Sequence, residues 1–230
     1  MAAGAPAHTQ TVAKAPPPAV PRARRLRLFG GGTSGNERLT AITGSLLIAL
    51  VAVIGVTIID LRGLLWVHLF VGLVLIGPVA LKLGSTLYRF AAYYLHDAAY
   101  RAVGPPVAYL RALGPFVVIT TLVVFVSGVA LLFAGPSSRP TLLPIHKISF
   151  IVWAVFTGVH VLAHLPALPA ALRGEYGPRR AALGPRLAGR DGRSFALAGA
   201  IVAGVVLALV LVGEFSAWTS WNALPHHHGH

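Results

Sequence analysis

The sequence predicts an all-α integral membrane protein, built as a bundle of five transmembrane helices. Hydrophobic residues make up 56% of the 230-residue chain and charged residues only 11%, and the mean hydropathy is +0.74. A soluble domain usually carries about 25% charged residues. The apolar residues are concentrated in five runs, each about 20 residues long, which is the length of helix that crosses the hydrocarbon core of a bilayer. Backbone polar groups find no water there, so these runs are expected to be helices.

The five predicted spans are joined by connections of different character. The spans cover about 41–59, 64–83, 115–135, 145–166 and 194–213. The first connection, Asp60–Gly63, has room only for a tight turn. Residues 84–114 are predicted to continue the second span and then form an interfacial amphipathic segment that ends at the Gly-Pro-Pro of 104–106. Residues 167–193 are basic, with scattered Gly and Pro, so an irregular loop is expected.

The two ends of the chain are predicted to lie outside the bundle, which covers residues 37–215. Residues 1–36 are rich in Ala, Pro and Gly. Such a segment cannot bury enough apolar surface to order itself, so a disordered cytoplasmic tail is expected. No cleavable signal peptide is expected, because the first 40 residues contain no apolar core of that type. Residues 216–230 are predicted to form a histidine-rich tail on the outer side.

Most of the positive charge falls on one side of this predicted bundle. With a cytoplasmic N-terminus, the inner segments hold 16 of the 19 lysines and arginines, and the outer segments hold Arg62, Arg139 and Lys147. This strong positive-inside distribution predicts a multi-pass protein of the plasma (inner) membrane, with its N-terminus inside and its C-terminus outside. The formal charge of +13 therefore indicates orientation and attraction to anionic lipids. No nucleic-acid partner is predicted.

Histidines within the spans are the main candidates for function, because ionisable groups are rare and costly in a bilayer. On the fourth span, His146, His160 and His164 fall on one helical face, and His160 lies about 21 Å from His146 along the axis. His68 lies near the start of the second span, which runs in the same direction, so His68 and His146 are expected at similar depth. Two facing neutral imidazoles are what a six-coordinate haem iron requires. For any one histidine alone, a hydrogen bond between helices is the alternative interpretation.

The absence of cysteine restricts the cofactor. It excludes disulfides, iron–sulfur clusters held by thiolates and covalent haem attachment. Any haem is therefore expected to be haem b, held without a covalent bond to the protein. Arg62 and Lys147 lie close in sequence to His68 and His146, so they are candidates to pair with haem propionates.

Two fragments resemble the membrane cytochrome b subunits of formate dehydrogenases and nickel–iron hydrogenases: HKISFIVWAVFTGVH (His146–His160) and WVHLFVG (Trp66–Gly72). In this superfamily of four- or five-helix di-haem cytochromes, a late helix carries two histidines with 13 residues between them, as here. The resemblance covers roughly residues 41–166. It implies a four-helix haem-binding core plus one helix, with His68 and His146 as axial ligands of an outer haem. It also implies an electron-transfer subunit, acting between a quinone pool and a partner redox subunit rather than as a stand-alone catalyst.

The sequence departs from this family at the inner haem site. The position 14 residues after His68 is Lys82 rather than histidine, and a lysine at a helix end more often extends to the lipid headgroups than ligates a metal. His160 therefore lacks a clear partner, and His164 and His96 are the other candidates. We predict one haem b and fewer than two haems per chain.

Two alternatives stay open at the level of the sequence. His160 and His164, one helical turn apart, could bind a transition metal such as zinc or copper, although no third ligand is evident. The chain could also be a haem-free polytopic membrane protein, either an anchoring or assembly subunit or a small transporter, with structural or metal-binding histidines. The fifth span carries a ridge of small residues that predicts close helix packing: Ala196, Ala200, Gly204 and Ala208.

Overall fold

The computed structural model describes residues 31–104, 108–176 and 189–223, and over these ranges it contains α-helices and short 3-10 turns but no β-strand. The helices are α1 (Gly32–Ile59), α2 (Leu61–Tyr94), α3 (Ala98–Val103), α4 (Ala108–Phe133), α5 (Arg139–His164), α6 (Leu168–Tyr176), α7 (Arg190–Leu211) and α8 (Ser216–Ala223). Five helical segments of the described chain are long and apolar enough to cross a membrane, and they contain α1, α2, α4, α5 and α7. The predicted helical class and number of apolar helices are confirmed. The side on which each terminus lies stays a prediction.

Three helices extend into segments that were expected to be irregular. α1 begins at Gly32, before the expected tail boundary at residue 36, because its first turns pack on α2: the buried Asn36 donates its side-chain N–H to the Ser85 carbonyl at 3.1 Å. α6 occupies the start of the loop predicted at 167–193, whose residues 177–188 lie outside the described chain. α8 occupies the start of the expected outer tail, whose histidines also lie outside it.

α2 is the central element of the fold. It follows α1 after the single residue Asp60, whose carboxylate accepts the Gly63 N–H at 3.1 Å, so the predicted tight turn is confirmed. Its 34 residues correspond to about 51 Å, well beyond the ~30 Å of the hydrocarbon core. The second span therefore continues past the membrane as predicted. The short α3 follows it and ends at Gly104, which has a φ of 79°.

Close packing between α2 and α7 depends on glycine. A methyl group built on Gly204 would overlap the Val74 carbonyl, and one built on Gly77 would overlap the Ala200 carbonyl. Ala208, one turn after Gly204, is fully buried. The predicted small-residue ridge of the fifth span is therefore a helix-packing surface within the bundle.

A polar connection joins α8 to the C-terminal end of α4 and the N-terminal end of α5. The buried Arg139 donates to the Ala217 carbonyl at 3.1 Å, and its guanidinium lies 4.1 Å from the centre of the Trp218 ring. Trp218 in turn donates its indole N–H to the Leu131 carbonyl at 3.1 Å. These contacts give α8 a fixed position, which explains why it is helical rather than part of a tail.

The long helices form two groups. α2 packs between α1 and α7, whereas α4 packs against α5. The groups meet near the C-terminal end of α4 in a buried cluster that includes Leu73, Leu132, Phe215 and Trp218, and α6 contacts α1 near the opposite end of the bundle. A large cavity lies between the groups.

Candidate functional site

The cavity contains the histidines that the sequence singled out. Its volume is about 2050 Å³ and its lining is mostly apolar, whereas pockets for drug-sized ligands occupy about 300–1,000 Å³. His68 from α2 and His146, His160 and His164 from α5 all line it. The structure therefore brings the predicted ligands of both helices to one large, apolar space.

His68 is held by a hydroxyl group on α1. Its Nδ1 lies 2.9 Å from Oγ1 of Thr57, which is buried and donates its own hydrogen to the Ile54 carbonyl at 2.6 Å. A hydroxyl has one hydrogen to donate, so Thr57 accepts from His68 and the Nδ1 of His68 carries the proton. In the neutral ring, the lone pair is then on Nε2, the atom left to act as a ligand.

His146 has the same arrangement on the other group of helices. Its Nδ1 lies 3.0 Å from Oγ of Ser127 on α4, and that hydroxyl donates to the Val124 carbonyl at 3.1 Å. By the same reasoning, the neutral ring of His146 has its lone pair on Nε2. His68 and His146 therefore line the cavity from opposite helix groups, and each has its Nδ1 bonded to a hydroxyl on a neighbouring helix.

Three glycines line the cavity, and one of them lies against the His146 ring. A methyl group built on Gly128 would lie 3.1 Å from Cε1 of His146, so a side chain there would press on the imidazole. Gly72 and Gly158 also line the cavity, and a methyl group built on either would meet nothing within 4 Å. Backbone is therefore open to a flat ligand at Gly72 and Gly158.

The two predicted propionate partners are also at the cavity. Arg62 and Lys147 line it and are exposed to solvent. Each lies on the same helix as one of the two histidines. Arg62 is in the first turn of α2, which carries His68, and Lys147 directly follows His146 on α5. They would offer positive charge to a ligand at the end of the cavity where α2 and α5 begin.

The inner candidates are arranged differently. The ring centres of His160 and His164 lie 4.6 Å apart, and the buried Nδ1 of His160 has no hydrogen-bond partner among the residues that the structure describes. The Nζ of Lys82 donates to the Thr40 carbonyl on α1 at 2.7 Å, and its expected extension to the lipid headgroups stays a prediction. Gly44 on α1 gives it room, because a methyl group there would lie 3.2 Å from Nζ.

Two of the sequence alternatives gain no support from this geometry. His96 lies in the exposed turn between α2 and α3 and does not line the cavity, so the structure does not bring it to the inner site. Within the described ranges, no group of three His, Cys, Asp or Glu side chains is arranged to hold a metal ion, so His160 and His164 acquire no third ligand of these types.

Sequence reasoning missed Thr57 and Ser127, which orient the two histidines. A hydroxyl residue in an apolar span usually bonds to its own helix backbone, as both do here. Their second contact depends on how neighbouring helices pack. The nearest signal in the sequence is that each lies on a span adjacent along the chain to the span that carries its histidine.

No known family, no curated protein and no solved structure matches this chain.

Proposed function

We propose that this protein is a membrane b-type cytochrome that holds one haem b between His68 and His146. It would carry electrons between a quinone pool and a partner redox subunit. The observation that carries the proposal is the matched pair of imidazoles, each with Nδ1 bonded to a buried hydroxyl and with Nε2 left as the ligand atom. Partners of this kind fix the tautomer and the ring orientation of a metal-bound histidine.

The residues present fit such a cofactor in several respects. The cavity is large and mainly apolar, Gly72 and Gly158 leave its wall open, and Arg62 and Lys147 would pair with propionates. Haem iron, when bound, supplies the one-electron chemistry. The chain supplies two neutral nitrogen ligands, positive charge for the propionates and an apolar wall that excludes water.

The test is a reduced-minus-oxidised visible spectrum of the protein purified in detergent, with the haem quantified per chain. We expect the spectrum of a low-spin b-type cytochrome and about one haem per chain, since a haem with two histidine ligands needs a pair and Lys82 stands where the histidine partner of His160 would be expected. Two haems per chain with paired histidine ligands would contradict the predicted number. A colourless protein after expression with ample haem and after reconstitution would contradict the function itself, and would favour a haem-free anchoring or assembly subunit or a small transporter.

The hydroxyl partners should affect how tightly haem is held. We expect Thr57→Val or Ser127→Ala to weaken haem retention by about tenfold, at the lower end of the range for partners of metal-bound histidines. The measurement is the rate of haem transfer from the purified protein to an excess of an acceptor protein. Thr120→Val is the matched control, because Thr120 is also on α4 and bonds to the Phe116 carbonyl but does not line the cavity. Equal transfer rates in all three variants would show that the hydroxyls do not orient the ligands.

A further inference from the structure

The end of the cavity opposite Arg62 and Lys147 is strongly basic. Four cations from three helices line it, whereas the only acidic residue among the described lining residues is Glu37, which lies 3.4 Å from Arg89. The cations are Arg38 on α1, Lys82 and Arg89 on α2, and Arg111 on α4. This end of the bundle is the one predicted to face the cytoplasm.

A general excess of inner positive charge does not account for this arrangement. Arg101 on α3 and Arg173 on α6 belong to the same predicted inner side, yet neither lines the cavity. Arg173 donates instead to the carbonyl of Pro169 on its own helix, at 3.2 Å. Among the residues that the structure describes, the predicted inner cations therefore fall into two sets, one that lines the cavity and one that does not.

The depth of the basic end matches the headgroup region of a bilayer. Lys82 lies about 27 Å along α2 from Leu64, where the predicted span begins, and Arg89 lies about 10 Å further on. The hydrocarbon core is about 30 Å thick, so the two side chains lie on either side of its inner boundary. Above them, the cavity wall is apolar, with residues such as Leu47, Val51 and Ile76.

Hydrogen-bond donors accompany the charges. Arg111 donates to the hydroxyl of Tyr94 at 3.2 Å, and both side chains line the cavity. Tyr100 also lines it, and burial raises the pKa of its phenol, so this hydroxyl keeps its proton and can donate near neutral pH. Lys82 uses one of its N–H groups on Thr40, and an ammonium group has three.

We propose that this basic end binds the phosphate group of an anionic phospholipid, with the acyl chains along the apolar wall. Converging cations beside a low-dielectric wall create a strong positive potential, and an anion offsets the free-energy cost of holding them together. Basic pockets between membrane helices on the cytoplasmic side are suited to anionic headgroups. The proposal goes beyond electron transfer and does not depend on haem at His68 and His146.

The test is lipid binding by native mass spectrometry of the full chain in detergent, titrated with phosphatidylglycerol or phosphatidylcholine. We expect one phosphatidylglycerol to bind at least tenfold more tightly than phosphatidylcholine, and Arg111→Gln and Lys82→Gln each to weaken it by about fivefold. Arg101→Gln and Arg173→Gln are the matched controls and should leave the preference unchanged. Arg111 is exposed, so its variant tests the site even if Lys82→Gln fails to fold.

Several outcomes would overturn the proposal. Equal binding of the two lipids, or an equal loss in the control variants, would show only a diffuse attraction to negative charge. Displacement by millimolar inorganic phosphate alone would mean that the site takes a free phosphate rather than a lipid. The proposal on haem is tested separately, since His146→Ala should remove the haem and leave the preference for phosphatidylglycerol intact.

Discussion

Replacing His68 or His146 with alanine is expected to abolish the low-spin haem spectrum of the purified protein. Each side chain supplies one of the two nitrogen ligands in the proposed site, and the alanine side chain has no atom that can ligate iron. Iron with a single histidine ligand is five-coordinate and high-spin, or the haem is lost altogether. Visible and electron paramagnetic resonance spectra of matched protein amounts measure the change.

His164→Ala is the control for this prediction. His164 lines the same cavity and lies on the same helix as His146, but about 27 Å of helix rise separates the two. We expect the low-spin signal to persist in this variant and the helical content of all three variants to match the wild type. A low-spin signal that survives in His68→Ala and His146→Ala but disappears in His164→Ala would place the haem at the inner end and contradict the assignment.

Gly204→Ala is expected to destabilise the folded bundle, although it adds a single methyl group. That group would overlap the Val74 carbonyl, so α2 and α7 must move apart, and overpacking of this kind costs about 1–3 kcal/mol. The free energy of unfolding in detergent, measured by denaturant titration, should fall by this amount. Because α2 carries His68, haem retention should fall with it.

The matched control lies on the same helix. A methyl group on Gly199 would meet nothing within 4 Å, so Gly199→Ala should be neutral or stabilise α7 by about 0.5–1 kcal/mol, as expected for a glycine removed from a helix. If both variants unfold at the same denaturant concentration, the close approach of α2 and α7 does not limit stability.

The sequence was sufficient for the features that depend on local composition. Five apolar runs predicted five long apolar helices, and the helical period placed His146, His160 and His164 on the face of α5 that lines the cavity. The four-residue spacing around Gly204 predicted a packing surface. Each of these follows from the repeat of a single helix, which does not change when helices assemble.

Features that depend on contacts between helices could not be predicted from the sequence. The hydroxyls of Thr57 and Ser127 are ordinary span residues until α1 and α4 meet the helices that carry the histidines. Nor does the sequence indicate that Lys82 bonds to the Thr40 carbonyl on α1, in a space that Gly44 leaves open. Helix ends also differ from the predicted boundaries, because packing on α2 extends the start of α1 back to Gly32.

The division of the bundle into two helix groups has a consequence for how the protein is made. α1 and α2 form one helical hairpin, and α4 and α5 form another, and the proposed ligands His68 and His146 lie on different hairpins. On the proposed function, each hairpin would assemble as it leaves the ribosome, and haem would join the two hairpins only after both are inserted in the membrane. Haem would then complete maturation of the chain, and its supply would set how much of the newly inserted protein escapes degradation.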